Sequence, residues 1–425
     1  ANTATTGTFT IPLMRSGGFG RHQAAGIEAA ASSGGALVPP VMGAGAYMML
    51  EIVVPPTSIL QIIQAAILPA VLYYLSLFLI ADFSAKRLDA AGGAAGDADA
   101  GRDQAAGQDA GEAAADESPP GLLEGLIFFG SLGSLVVLLL SGFTVFRSVT
   151  LAMVVALVLS QFSSTTRLGF GRLVEACTRA ARGGVALVAA AASVGIVMGV
   201  VTLTGVGSKL PAAILPLAEQ NLFLALLLIM FSSIVLGMGL PSAVCYLLLA
   251  TLIGPAIGDL GVVPLAAHFF IFYFGLMSMV TPPVALAAYT AASIAVSPIM
   301  KTAFAAFRFS IVGFFLPYLF VYRPQLLMLD PSGDAARPLA IAAAFLVAAA
   351  GIVPLAASIA GFGRRRLGMP ARLMLFASAL LVLMPAERLS ALPVAPINLI
   401  GVVVAAALFW TLGARGPAQG EPRRA

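Results

Sequence analysis

The sequence predicts an all-α polytopic membrane protein, and three observations lead there. Of 425 residues 60% are hydrophobic and 10% charged, a balance foreign to soluble domains. Apolar runs such as "ILQIIQAAILPAVLYYLSLFLIA" and "PLAIAAAFLVAAAGIVPLAASIAG" are long enough, at about 1.5 Å per residue, to cross a hydrocarbon layer of about 30 Å. Strand-type alternation is missing, which argues against a β-barrel.

Residues 1–80 read as a first repeat. It comprises a helix at 1–14, a proline-broken helix at about 24–50 carrying "LVPPVMGAGAY", and a spanning helix at about 58–80. Residues 81–121 turn to Ala, Gly and Asp without apolar periodicity, and are expected to be a disordered acidic cytoplasmic linker that buries too little to offset its ordering entropy. Residues 122–183 hold scaffold spans at about 122–141 and 148–163, then "TTRLGFGRLVEACTRAARGG", expected as an amphipathic arm helix along the bilayer surface. Residues 184–323 read as a second repeat: a span at about 184–205, a segment at 221–257 interrupted by "GMGLPS", a broken helix at 264–296 carrying "VTPPVALAAY", and a membrane segment at about 299–322. Residues 324–425 add three spans, at about 338–360, 370–385 and 396–413.

The segment 221–257 exceeds the usual crossing of about 17–25 residues, so it is expected to be a re-entrant hairpin. Non-helical backbone at its tip is tolerated at membrane depth only where protein or a water-filled cavity satisfies its polar groups. With that hairpin returning to its own face, eighteen of the 23 Lys and Arg residues fall on one side, which the positive-inside rule makes cytoplasmic, and the other five, Arg147, Lys209, Arg323, Arg337 and Arg388, are expected in loops on the opposite side. Residues 1–14 are expected as the returning half of a matching hairpin that opens to the cytoplasm. Together these segments predict an inverted-topology repeat with discontinuous helices, the arrangement by which secondary transporters offer helix N-termini to an anion and freed carbonyls to Na⁺. Each proline pair removes two backbone donors, ends one half-helix and suits the start of the next.

The polar atoms near the breaks are neutral, and hard cations accept neutral oxygen ligands. Glu28 and Glu51 are expected towards the ends of the first broken helix, in interfacial positions, and the lack of a central titratable group favours Na⁺ over H⁺. The cation-binding candidates are Asn2, Thr3, Gly34, Gly35, Gly239, Ser278 and Thr281. The substrate-binding candidates are Thr5, Ser33, Pro39, Pro40, Pro241, Ser242, Pro282 and Pro283. Cys177 and Cys245 read as packing residues, His22 and His268 as isolated, and Trp410 as an interfacial anchor. No spacing points to a catalytic site, a resident metal or a cofactor, so no enzyme is expected, and Na⁺ enters only as a coupling ion.

Four motifs, "GIEAAASSGGALVPPVMGAGAYMMLE", "GMGLPSAVCYLLLATLIGPA", "LAAHFFIFYFGLMSMVTPPVALAAYTAA" and "FRFSIVGFFLPYLFVYRPQLL", resemble a TRAP transporter permease, specifically the fused small-plus-large membrane subunit of the TAXI type. The resemblance covers most of residues 1–330. It implies an elevator-type, Na⁺-coupled uptake system for organic anions, typically carboxylates, delivered by a periplasmic solute-binding protein. It also implies a multi-pass protein of the bacterial cytoplasmic (inner) membrane with no nucleic-acid partner. Ala1–Thr3 would match a Ser-Asn-Thr hairpin tip with Ala in place of Ser, and Thr281-Pro282 a Thr-Pro site. The chain departs from the pattern in lacking an Asn in "GLPSAV" and in having Val38 where the second repeat has Thr281. It also reads as truncated, without the small-subunit helices and the entering half of the first hairpin. A stand-alone Na⁺/anion symporter and a passive channel are the alternatives.

Overall fold

The computed structural model describes residues 2–40, 42–90, 122–162, 167, 169–204, 221–238, 240, 242–252, 254, 261–384 and 396–414. Among them are sixteen helices: α1 (Asn2–Ser16), α2 (Arg21–Gly34), α3 (Ala44–Ile52), α4 (Ile59–Asp89), α5 (Leu122–Leu140), α6 (Val145–Ser160), α7 (Phe170–Thr204), α8 (Leu222–Gly237), α9 (Ser242–Leu252), α10 (Pro264–Met277), α11 (Leu286–Ala295), α12 (Ile299–Phe309), α13 (Val312–Tyr322), α14 (Pro338–Ala360), α15 (Met369–Leu383) and α16 (Pro396–Ala414). Isolated bridges at Leu329–Ala335 and Phe362–Arg366 are the only β-type pairings in the described residues. Three stretches, Ile59–Leu88, Ile299–Tyr322 and Pro338–Ala360, are long and apolar enough to cross a membrane, and shorter apolar helices accompany them.

Side-chain contacts fix the direction of each helix in the middle of the fold. Gly26 of α2 lies against Ala305 of α12, and Gly34, eight residues on, lies against the Tyr73 ring, whose opposite edge faces Gly313 of α13. So α2 runs with α12 and α13. α10 runs against them: Met277 meets Gly313, Phe274 meets Phe314, Phe270 meets Tyr318 and Phe269 meets Phe320. Helices α2 and α10 therefore approach from opposite directions and end close together, on either side of Gly313.

The partners of these two helices repeat the pattern. Phe223 of α8 packs on Tyr318 and Gly237 reaches Ser278, so α8 runs with α10. α9 then reverses, with Cys245 beside Gly275 and Gly254 beside His268. The two helices form a hairpin whose turn lies beside the end of α10. In the other half, Asn2 of α1 lies next to Gly35 while Thr10 reaches Glu28, so α1 runs antiparallel to α2 as α9 does to α10. The halves interlock: Gly7 of α1 rests on Ile294 of α11, and Gly45 of α3 rests on Tyr246 of α9.

Local chemistry accounts for the helix ends. Ser58 and Gln61 form a capping box at the start of α4, Asn221 accepts from the Leu224 N–H at the start of α8, and Pro264 and Pro338 occupy first-turn positions of α10 and α14. The last carbonyls of α14 are satisfied by three guanidinium groups. Arg87 donates to Ala360 O, Arg308 to Ile359 O, and Arg372 to Ser358 O and Ile359 O, where positive charge also complements the helix dipole.

Four expectations are revised. α4 does not stop at residue 80 but continues to Asp89, because Asp82 and Lys86 pair one turn apart and Arg87 anchors its end on α14; residues 91–121 of the expected linker lie outside the described residues. The expected surface arm and the span at 184–205 are one helix, α7, since its alanine-rich sequence carries the helix across Gly183 and Gly184. Glu28 is buried among protein side chains, 4% exposed. Cys245 packs as expected, whereas Cys177 is exposed. Arg323, assigned to an external loop, is buried, where it donates to Met384 O and to the Asn398 side chain.

Candidate functional site

The two proline pairs produce matching backbone. After α2 the chain makes one 3₁₀ turn, Gly35–Leu37, and after α10 one 3₁₀ turn, Ser278–Val280. Val38 (φ −84°, ψ 115°) and Thr281 (φ −92°, ψ 123°) then extend the chain into the cis bonds Pro39-Pro40 and Pro282-Pro283. Both breaks close with a left-handed residue, Met42 (φ 37°) or Ala285 (φ 31°). The backbone hydrogen bonds match too: Val38 N to Gly35 O at 3.3 Å and Thr281 N to Ser278 O at 3.4 Å, then Met42 N to Val38 O at 3.0 Å and Ala285 N to Thr281 O at 3.1 Å. The cause is local. Pro-Pro cannot supply the two donors that would continue the helix, so each break closes on the few donors left.

Around the first break, the Asn2 side-chain amide donates to Ser32 O at 3.3 Å, which leaves its carbonyl oxygen available. Thr3 is buried, and Gly34 lies under the Tyr73 ring. The Ser33 hydroxyl is buried and finds no hydrogen-bond partner among the described residues. Tyr73 and Tyr74 donate to Ala30 O and Ala31 O, both at 2.8 Å, so α4 takes up carbonyls in the last turn of α2. Around the second break, the Ser278 hydroxyl lies 2.7 Å from Gly275 O and 3.1 Å from Gly237 O, tying the end of α8 to the break. Thr281 donates to Met277 O at 2.6 Å, which leaves its oxygen lone pairs unused. Ser242 opens α9 in a half-buried position.

The candidates thus fall into two clusters related by the opposed directions of α2 and α10. Asn2, Thr3, Ser33, Gly34 and Gly35 gather at one break, and Ser278 and Thr281 at the other. Pro39 and Pro40 face elsewhere, lining an apolar cavity of about 410 Å³ with Ile63, Ile67 and Val71 of α4 and Leu139 of α5. Pro282 is half-buried and Pro283 exposed. Gly239, Pro241 and the side chain of Thr5 lie outside the described residues.

Sequence reasoning passed over Glu28. Its carboxylate accepts from Thr6 and Ser32 at one oxygen and from Thr10 at the other, all from neighbouring turns of α1 and α2. A signal was present: Thr6 and Thr10 are four residues apart, as are Glu28 and Ser32, so each pair occupies one helix face. Tyr73 and Tyr74 also went unremarked, although adjacent tyrosines within an apolar helix need partners for two hydroxyls.

Opposed broken helices, a hairpin against one of them and apolar helices long enough to span a bilayer are the build of a polytopic membrane protein. The chain belongs to the DctM component family of the tripartite ATP-independent periplasmic transporters, whose family model matches residues 1–331. It is a transporter component, not an enzyme. No curated protein matches the chain.

Proposed function

We propose that this chain is the membrane permease of a Na⁺-coupled uptake system for organic anions, chiefly carboxylates, handed over by a periplasmic solute-binding protein at the bacterial inner membrane. The observation that carries the proposal is the pair of breaks with matching backbone angles and hydrogen bonds at the ends of α2 and α10. In a bilayer they become the discontinuous helices of an inverted repeat, and α8 and α9 a re-entrant hairpin. Neutral oxygens from Asn2, Thr281 and the break carbonyls suit a weakly bound monovalent cation, which would offset the charge of the anion beside it. An elevator motion, in which the α1–α3 and α8–α11 unit slides against the remaining helices, would expose that site to each side in turn. Membership of a tripartite family supports the extracytoplasmic partner.

The test is uptake of a panel of radiolabelled carboxylates by proteoliposomes holding the protein, its cognate binding protein and any further membrane subunit. Accumulation should require both the binding protein and an inward Na⁺ gradient. Asn2→Ala and Thr281→Ala should each lower apparent Na⁺ affinity, and unchanged Na⁺ dependence in both removes the site assignment. Uptake without binding protein favours a stand-alone symporter, and flux indifferent to the Na⁺ gradient favours a channel.

A further inference from the structure

Three arginines from distant parts of the chain converge on the last turn of α14. Arg308 Nη2 and Arg372 Nη2 donate to the same oxygen, Ile359 O, at 2.8 Å and 3.3 Å, so the two nitrogens stand at most about 6 Å apart. Arg87 Nη1 donates to Ala360 O at 3.1 Å, and a Cβ on Gly361 would lie 3.2 Å from that nitrogen and 3.5 Å from Arg372 Cζ. The turn after α14 brings more charge. Gly363 N–H donates to Arg365 O, Leu367 N–H donates to Gly361 O, and a bridge joins Phe362 to Arg366, which keeps Arg364 and Arg366 at the same end of the helix. Arg366 Nη2 reaches Arg87 O at 3.5 Å.

Helix capping does not call for this much charge. The C-terminus of a helix carries about half a negative charge, so three guanidiniums exceed it by roughly two and a half. Like charges at this spacing repel one another. Among the described residues no carboxylate offsets them: Asp82 of α4 is engaged by Lys86, and Arg87, Arg308, Arg364, Arg366 and Arg372 have no acidic partner. Each guanidinium has five N–H donors, of which the α14 carbonyls take one or two. Arg87, Arg364 and Arg366 are exposed, and Arg308 and Arg372 are half-buried, so an anion can reach the cluster. A phosphate suits it, because its oxygens accept pairs of N–H bonds from guanidinium forks.

The surroundings favour a lipid over a free phosphate. α4 and α14 are both long and apolar enough to span a bilayer, so the end they share falls at headgroup level. Leu373 and Met374, which follow Arg372 in α15, are 58% and 53% exposed, and Met369, one turn before Leu373, is 64% exposed. Basic clusters between helices at this level are suited to anionic headgroups. A soluble anion makes no use of hydrocarbon beside its site, whereas the acyl chains of a phospholipid do.

We propose that the arginine cluster at the end of α14 binds the phosphate headgroup of an anionic phospholipid, with the acyl chains against the exposed apolar side chains of α15. The test titrates the purified full chain in detergent with phosphatidylglycerol, phosphatidylcholine or inorganic phosphate, and reads lipid retention in native mass spectra together with the thermal midpoint. Phosphatidylglycerol should be retained and should raise the midpoint. Phosphatidylcholine, whose choline cancels the phosphate charge, should do neither, and inorganic phosphate should protect only at far higher concentration. Arg87→Gln should weaken phosphatidylglycerol binding about fivefold, the contribution of one basic side chain at an anionic lipid surface. If that variant fails to fold, the exposed pair Arg364→Gln and Arg366→Gln, which leaves the α14 carbonyls capped, should weaken binding by roughly tenfold or more. Arg15→Gln with Lys301→Gln removes as much charge elsewhere and should leave binding within about twofold of wild type. Equal losses in the two pairs, or equal retention of the two lipids, overturn the proposal. So does protection by inorganic phosphate at the lipid's own concentration, which would make the ligand a soluble anion. Phosphatidylglycerol retained only after the acids of residues 91–121 are replaced by Ser also overturns it, because that acidic segment would then be the counter-charge.

Discussion

Gly34→Ala is the sharpest perturbation of the proposed convergence between the two broken helices. A Cβ at Gly34 would fall against the Tyr73 ring, with Cδ1 at 2.8 Å and Cε1 closer still. The ring is fully buried. Its far edge lies 3.0 Å from where a Cβ on Gly313 would stand, that position is also crowded by Met277 Sδ at 2.5 Å, and the phenol is tied to Ala30 O at 2.8 Å. Overpacking of a tight core costs typically about 1–3 kcal/mol. If the ring swings away to relieve the clash, it loses the hydrogen bond to Ala30 O, about 1 kcal/mol. Either way the expected loss is about 1–3 kcal/mol, visible as a fall of a few degrees in the thermal midpoint of purified protein in detergent. Tyr73→Leu should lower stability alone yet make Gly34→Ala nearly harmless, because a smaller side chain leaves space for the methyl group. The double-mutant cycle should thus show a coupling of more than about 1 kcal/mol. Additive effects, or a Gly34→Ala protein as stable as wild type, would show that α2, α4 and α13 do not meet at this ring.

Two other substitutions probe separate parts of the fold. Ser278→Ala removes the hydroxyl shared between Gly275 O and Gly237 O, so the end of α8 should loosen; amide hydrogen exchange around residues 235–245 should rise, with about 1 kcal/mol of stability lost. Asn398→Leu strips the amide that donates to Leu381 O, Val382 O and Met384 O and the oxygen that accepts from Arg323, so it should cost about 3 kcal/mol and increase exchange at the end of α15. A Tm within a degree of wild type for Asn398→Leu would show that this buried network does not hold α15, α16 and Arg323 together.

The membrane class, both proline breaks and the interruption at 238–241 were legible in the sequence because each arises from local chemistry. Hydropathy over some twenty residues is additive along a chain, and proline deletes a donor wherever it stands. Two of the neutral candidates, Ser33 beside Gly34 and Thr281 beside Pro282, were picked out by the same local chemistry. Segment ends were less so. α4 overruns its apolar stretch to Asp89 because Arg87 finds the carbonyls of α14, a residue pair separated by most of the chain.

Tertiary structure alone decided what the buried polar groups do. From sequence, Glu28 was an acid near a helix end and Arg323 a charge in a loop, since composition measures a residue's cost of burial but not the partners that offset it. Folding brings Thr6 and Thr10 of α1 against Glu28, and Asn398 of α16 against Arg323. In the same way the sequence shows two Pro-Pro breaks but not that they meet; that depends on α2 and α10 running in opposite directions past one glycine, Gly313, and one tyrosine, Tyr73. Local rules determine where a helix must stop, whereas the company kept by a buried charge depends on contacts between distant segments.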